Sequence, residues 1–129
     1  EVIILLINLL KSKIHRATVM EANLDYVGSI SIDENLIIAA GLVEYEKVHV
    51  LNITNGARLE TYVIKARKGS NYIGINGAAA HQITKGDIVI IAAYCRINHS
   101  DLDLFKPQIV HVDENNCILN VTSTIESVY

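Results

Sequence analysis

Hydrophobic and polar residues alternate along several stretches of this chain. Residues 47–53 follow a two-residue period, and residues 59–66 are rich in side chains that strands favour. Two apolar runs, 2–10 and 88–94, are each short enough to be a single strand. Because successive side chains of a strand point to opposite faces, these patterns predict strands and a mainly β fold.

A hairpin is predicted between the strands at 47–53 and 59–66. The intervening residues include Asn55 and Gly56, and this pair is typical of a type I′ turn, in which two successive residues have positive φ.

Helical structure is predicted at two short places only. Residues 33–40 fit a helix with Asp33 as its N-cap and Gly41 at its C-terminal end, and a helical turn fits residues 78–80. Many short strands with one or two short helices favour a small closed β-barrel, because closure removes exposed sheet edges.

Composition narrows the classes of protein. At 129 residues, half of them hydrophobic and 19% charged, the chain has the length of one folded domain spanning 1–129. Such an apolar small domain predicts an oligomer, since its surplus apolar residues would lie at subunit contacts. A net charge of −3 without a basic run argues against nucleic acid as a partner.

A membrane or secreted location is not indicated by these residues. The apolar run 2–10 is too short to span a bilayer, follows an acidic residue and precedes Lys11, so we interpret it as a first strand rather than a signal segment. Two cysteines, Cys95 and Cys117, make no disulfide framework, and a reducing cytoplasm is the expected location.

Single residues carry little evidence of chemistry. The chain has no glycine-rich phosphate loop and no cysteine and histidine spacing typical of zinc, and its five histidines are scattered. The dipeptide at Gly28 and Ser29 is an ordinary turn pair when it is considered alone.

Separate blocks in a fixed order are more specific. Residues 11–19 (KSKIHRATV) and 26–33 (YVGSISID) are followed by further colinear blocks at 39–41, 52–58, 61–62, 76–81 and 86–91. Together these blocks resemble the pyruvoyl-dependent aspartate 1-decarboxylase family. The resemblance implies a double-psi β-barrel, a homotetramer, and decarboxylation of L-aspartate to β-alanine and CO2 for pantothenate and coenzyme A biosynthesis.

The resemblance also implies that the chain makes its own cofactor. The Ser29 hydroxyl would attack the carbonyl of Gly28, and the resulting ester would eliminate to a dehydroalanine. Hydrolysis would then release ammonia and leave fragments 1–28 and 29–129, the latter headed by a pyruvoyl group. That ketone would form a Schiff base with L-aspartate and accept the electrons of the broken bond, the role of pyridoxal phosphate elsewhere, with no metal required.

Several residues acquire roles from the family motifs. Arg58 and Lys13 would bind substrate carboxylates, and His15, on the same strand face as Lys13, would orient substrate or move protons. Tyr62 would supply a proton after CO2 leaves. The remaining residues implied in maturation or the site are Thr61, Asn76, Gly77, Ala78, Ala79 and, near the scissile bond, Tyr26.

Two departures and two rival functions remain open. Ser31 stands where the family more often has Ala or Thr and is expected to alter the rate of maturation, and residues 113–129, which offer a turn at Asn115 and Asn116, match poorly and should hold no catalytic residue. One rival is a non-catalytic oligomeric β-barrel module with an uncleaved chain. The other is a small hydrolase using Ser29 with His15, although no acid is placed to orient that histidine.

Overall fold

The computed structural model describes residues 3–25 and 28–125, so Tyr26 lies outside the described residues. Strands dominate these ranges, and a single α-helix, α1, spans Glu34–Ala40, with 3₁₀ turns at Gly77–His81 and His99–Leu104. The strands are β1 Leu6–Thr18, β2 Glu21–Asn23, β3 Ser29–Asp33, β4 Lys47–Asn52, β5 Arg58–Ala66, β6 Ile73–Asn76, β7 Ile88–Asn98, β8 Gln108–Val112 and β9 Ile118–Thr122.

All of these strands belong to one curled sheet. Their order is β2-β6-β3-β5-β4-β7-β1-β8-β9, with parallel pairing at β1–β8, β2–β6 and β3–β5. Strand β2 at one edge continues almost directly from β1 near the other edge, and Met20 N donates to Ile73 O at 2.8 Å at the corner between them. The predicted small, mainly β barrel with short helices is confirmed.

Alternation along the strands builds the core. In β4, Val48 and Val50 are fully buried whereas Lys47 is exposed. In β3, Ile30 and Ile32 are likewise fully buried. The inward residues therefore form one apolar cluster, and the alternate residues of the same strands point away from it.

Most predicted elements are confirmed, with one shift. The strands predicted at 47–53, 59–66 and 88–94 are β4, β5 and β7, and the helical turn predicted at 78–80 lies within Gly77–His81. The strand predicted at 2–10 instead begins at Leu6 and continues to Thr18, because β1 pairs along its length with β7. Residue 2 lies outside the described residues.

The predicted helix ends are confirmed in detail. The Asp33 side chain accepts a hydrogen bond from Asn35 N at 2.8 Å, which satisfies one of the free amides of the first turn of α1. Gly41 closes the helix in the left-handed conformation, with φ of 67°. Asp33 also accepts from the amides of Gly69 and Asn71, so the cap ties the β5–β6 connection to the helix.

The β4–β5 hairpin is present, but the type I′ turn was wrong. Gly56 alone of the central pair has positive φ, 77°, and its amide donates to Asn52 O at 2.8 Å within a five-residue loop, 53–57. Asn55 instead uses its Oδ1 to accept from Ala57 N at 2.8 Å. Asn55 therefore stabilises the loop through its side chain and does not adopt the left-handed conformation that a two-residue type I′ turn requires.

The turn predicted at Asn115 and Asn116 is confirmed and is anchored to the barrel. Asn116, left-handed with φ of 63°, is buried, and its Oδ1 accepts from Thr18 N at 2.7 Å. Its Nδ2 donates to Thr18 O at 2.9 Å and to Asn71 O at 3.0 Å. One side chain thus joins the β8–β9 turn to the end of β1 and to the start of β6.

Apolar side chains also lie on the outer surface. Ile3, Ile4, Leu5 and Leu6 near the start and Leu119 on β9 are each more than half exposed. Neither cysteine is in a disulfide. Among the residues described, no helix has the length and apolar character needed to cross a membrane.

Candidate active site

Ser29 is the first residue of β3 and is buried. Its neighbours Ile30 and Ile32 point into the core, so Ser29 and Ser31 point to the opposite side of the strand. There Ser29 lies opposite Asn76 of β6, whose Nδ2 donates to Ser29 Oγ at 2.8 Å and to Ser31 Oγ at 3.0 Å. The serine hydroxyl is therefore held by a buried amide.

A cavity of about 340 Å³ opens beside this serine, at Gly28. It brings together residues from β5 and from the 3₁₀ turn that follows Asn76. Its lining residues are Gly28, Leu59, Glu60, Thr61, Tyr62, Ala78, Ala79 and Gln82. Five residues implied by the family motifs thus share one cavity, and Gly77, buried with φ of 69°, starts the turn that places two of them.

Crowding does not explain the glycine before Ser29. A Cβ at residue 28 would lie 3.9 Å from Asn76 O, which is ordinary van der Waals contact. A small side chain would therefore fit at residue 28.

Lys13 and His15 line a different cavity, of about 360 Å³. As predicted from their spacing, they share a face of β1. They are joined there by His111 of β8 and by Asn120 and Thr122 of β9. The His15 and His111 rings meet edge to face with centroids 5.8 Å apart.

His15 is partly buried and lies near three basic residues. Its Nδ1 is buried and has no hydrogen-bond partner. Burial lowers the pKa of His15 below its ordinary value of 6.5, and positive charge on Lys13, His111 and Arg16 lowers that pKa further. The neutral imidazole is therefore the form present at pH 7.

Arg58 lies on a third part of the same outer face. It is exposed at the start of β5, whereas Lys13 lies on β1, and strands β4 and β7 separate the two. Three interstrand steps correspond to roughly 14 Å. One subunit therefore brings Gly28, Thr61 and Tyr62 together but keeps Lys13 and His15 apart from them.

Comparison with known proteins shows the family of this chain. A sequence model of the family described as Aspartate decarboxylase matches residues 5–119. The chain belongs to the aspartate decarboxylase family. Proteins named Aspartate 1-decarboxylase are similar to it: one from Caldicellulosiruptor saccharolyticus is 57% identical over 122 residues, covering 95% of each chain.

Two further relatives with this name also match most of the chain. The protein from Clostridium kluyveri is 53% identical over 116 residues, 90% of this chain and 91% of that protein. The one from Corynebacterium efficiens is 58% identical over 111 residues, 86% of this chain and 82% of its own. The family match continues to residue 119, farther than the resemblance quoted from the sequence, which weakened after Val112.

Glu60 lies in this candidate site and was missed by sequence reasoning. It lines the cavity at Gly28 and is paired with Lys47 Nζ at 2.9 Å. The hydrogen bond and the charge of Lys47 lower the pKa of Glu60, so the carboxylate is ionised and its charge is balanced. The period-two pattern could have indicated it, since Glu60 lies between Arg58 and Tyr62 on one face of β5.

Other neighbours could not be found from motifs. Gln82 follows the 3₁₀ turn and His111 lies outside the quoted motifs, whereas Asn120 and Thr122 come from residues 113–129, which resemble the family least. The pairing of β1 with β8, and of β8 with β9, brings His111, Asn120 and Thr122 to the cavity with Lys13. Within the described ranges, no group of three or more His, Cys, Asp or Glu side chains is placed to bind a metal ion.

Proposed function

We propose that this chain decarboxylates L-aspartate to β-alanine and CO2 with a pyruvoyl group that it makes from Ser29. The observation that carries the proposal is the buried Ser29 hydroxyl, held at 2.8 Å by Asn76 beside the cavity at Gly28. The family relationship supplies the reaction, and this geometry supports the residue that would perform its first step.

Maturation would begin with Ser29 Oγ attacking the carbonyl carbon of Gly28. A C–O bond forms, the C–N bond of the peptide breaks, and the hydroxyl proton passes to the new amine, which gives an ester. The Asn76 N–H is hydrogen-bonded to Oγ and would hold this nucleophile in position, while the negative charge develops on the carbonyl oxygen of Gly28. Thr61, in the cavity beside Gly28, is suited to donate to the carbonyl oxygen.

The ester would then break by elimination. Ser29 loses its Cα proton and the carboxylate of Gly28 departs, which leaves a dehydroalanine at residue 29. Water then hydrolyses the dehydroalanine, which releases its nitrogen as ammonia and leaves a ketone. Fragments 1–28 and 29–129 result.

The residues around position 29 fit a small ketone. The position is buried at the head of β3, Asn76 offers it an N–H donor, and the cavity at Gly28 leaves room for a substrate of the size of aspartate. When present, a pyruvoyl group supplies the electron sink for loss of a carboxylate. Asn76 would hold its oxygen through the same N–H.

The chain's side chains would bind and protonate the substrate. Arg58 can hold a carboxylate through its planar fork, and Lys13 adds a second positive charge. Tyr62 lines the cavity at Gly28, which supports its phenol as the donor of a proton to the substrate carbon after CO2 leaves. Backbone groups of Gly77, Ala78 and Ala79 would border the bound substrate.

A homotetramer would complete this site. In one subunit the cavity with Lys13 and His15 is separate from the cavity with Tyr62, although one substrate must contact both sets. The exposed apolar residues at 3–6 and on β9 provide surface for self-association. A second copy would therefore bring its Lys13 and His15 to the cavity at Gly28.

Neither rival function is favoured by a specific contact. Ser29 is bonded to Asn76, whereas His15 lines the other cavity, so a Ser29–His15 hydrolase has no geometric support. A non-catalytic module would remain one intact chain, and the experiment on maturation distinguishes it.

The test is the intact mass of every polypeptide in the denatured, purified protein, with and without borohydride. Two species matching 1–28 and a ketone-headed 29–129, the latter gaining two hydrogens on reduction, together with release of β-alanine from L-aspartate, are the expected result. Ser29→Ala should remain one chain and produce no β-alanine. A wild-type chain that stays intact after prolonged incubation would contradict the proposal.

A further inference from the structure

We propose that Ser31 is a positioning residue for self-cleavage, acting through the Asn76 carboxamide. This inference rests on the proposed function, since it concerns the rate at which Ser29 attacks Gly28. Ser31 would not touch the reacting atoms, and its hydroxyl would fix the donor that does.

The contacts that carry the inference form a short chain. Ser29 and Ser31 lie two residues apart on one face of β3, and Asn76 Nδ2 is 2.8 Å from the first Oγ and 3.0 Å from the second. A primary amide has two N–H groups, so each serine oxygen can accept one of them. Asn76 therefore binds both hydroxyls at once, and Ser31 does not displace Ser29.

On strand β6, the side chain that contacts Ser31 Oγ is that of Asn76. In the β3–β6 pairing Ser31 faces Gly74, which has no side chain to offer. The Tyr72 ring covers the space that a Cβ at residue 74 would take, so a larger residue cannot enter there without moving that ring. The carboxamide is the group that this local structure brings to Ser31 Oγ.

Two hydrogen bonds restrict the orientation of the Asn76 carboxamide more than one does. The terminal torsion of an asparagine side chain is broad, so a single hydrogen bond leaves the plane of the amide free to rock. The second bond, to Ser31, confines the plane and keeps an N–H directed at Ser29 Oγ. That direction matters because the bond holds Ser29 Oγ, the attacking atom, in one position beside Gly28.

The family resemblance implies Ala or Thr at this position more often than Ser. Family members with alanine would lack the second attachment, so the hydroxyl is expected to tune the rate and not to be essential. The effect should be that of one hydrogen bond, about 3- to 10-fold in the cleavage rate constant.

The experiment compares Ser31→Thr with Ser31→Val, which have nearly the same shape and differ in the hydroxyl. Each full-length chain is made by pulsed cell-free synthesis, and loss of the intact mass is followed over time. Threonine should cleave within about 2-fold of wild type and valine about 3- to 10-fold more slowly. Ser31→Ala, which removes bulk and adds none, should be as slow as valine, and it provides the result if the valine variant fails to fold.

A double-mutant cycle separates positioning from structure. In an Asn76→Ala background, Ser31→Val and Ser31→Thr should cleave at equal rates, because the amide through which Ser31 acts is gone. Equal rates for the two variants in the wild-type background, with wild type cleaving normally, would overturn the role of Ser31 alone. No cleavage of wild type would overturn the proposed maturation and this inference together.

Discussion

Asn76 lies directly opposite Ser29 in the antiparallel pairing of β3 with β6, and its Nδ2 donates to Ser29 Oγ at 2.8 Å. Asn76→Ala should slow self-cleavage by about 10- to 100-fold, because the attacking Ser29 Oγ loses a hydrogen bond that holds it in position. Intact mass against time measures this rate. Asn35→Ala, an exposed change on α1, is the matched control and should cleave at the wild-type rate.

Arg58 should determine how tightly the matured protein binds aspartate. Arg58→Ala should raise KM by about 10- to 100-fold, because charge-assisted hydrogen bonds to a carboxylate are lost. Arg58→Lys should recover only part of the affinity, since a single ammonium cannot form the planar fork. Steady-state release of β-alanine measures both, with the exposed Arg67→Ala as control; an unchanged KM in Arg58→Ala would remove Arg58 from the site.

Tyr62 should affect turnover more than maturation. Tyr62→Phe keeps the ring in the cavity at Gly28 but removes the proton donor, so kcat should fall by about 100-fold or more while the chain still cleaves. The two rates are read separately, by β-alanine release and by intact mass. Tyr45→Phe changes a phenol that is 71% exposed and should alter neither rate. A Tyr62→Phe enzyme with normal kcat would assign the proton to another group.

His15 should make stability depend on pH. Its pKa is lowered in the folded state by burial and by Lys13, so the unfolded chain takes up a proton first as pH falls below 6.5. Stability is therefore fully present above that value and decreases toward the lowered folded pKa. In an uncleavable Ser29→Ala background, His15→Gln should flatten the dependence of Tm on pH in this range, whereas the exposed His99→Gln should not.

Asn116 should be a strong determinant of stability. Asn116→Ala leaves the Thr18 amide without its side-chain acceptor. It also puts alanine in the left-handed conformation, where alanine has no side-chain hydrogen bond to offset the strain. Together these effects should cost about 2–4 kcal/mol of unfolding free energy. Chemical denaturation of the Ser29→Ala background measures it. The exposed neighbour Asn115→Ala should cost far less, and equal losses would contradict the role of the buried contacts.

The sequence was most informative where a local rule decides the structure. Alternation in β4 was visible because Val48 and Val50 must face the core, and α1 was visible because Asp33 and Gly41 satisfy its two ends. The turn at Gly56 shows the limit of such rules. An Asn-Gly pair permits a type I′ turn, but the side-chain bond from Ala57 N to Asn55 selected a longer loop.

Register was the part that could not be predicted. Family motifs named Lys13, Arg58 and Tyr62 together, yet which cavity each reaches depends on how many strands lie between them in the sheet. The same pairing brings His111 to His15, and no spacing along the chain indicates that contact. Long-range strand order thus decided the composition of both cavities.

The position of β1 gives the proposed cut an unusual effect on assembly. This thirteen-residue strand lies between β7 and β8, and all of it falls within fragment 1–28. The matured protein would be a tightly interlocked pair of polypeptides whose short member cannot diffuse away while the barrel is folded. Once unfolded, the two pieces must meet again in solution, so recovery would become second order and dependent on dilution. The uncut precursor would refold as a single chain, whereas the cut protein would recover its fold only when the two fragments meet.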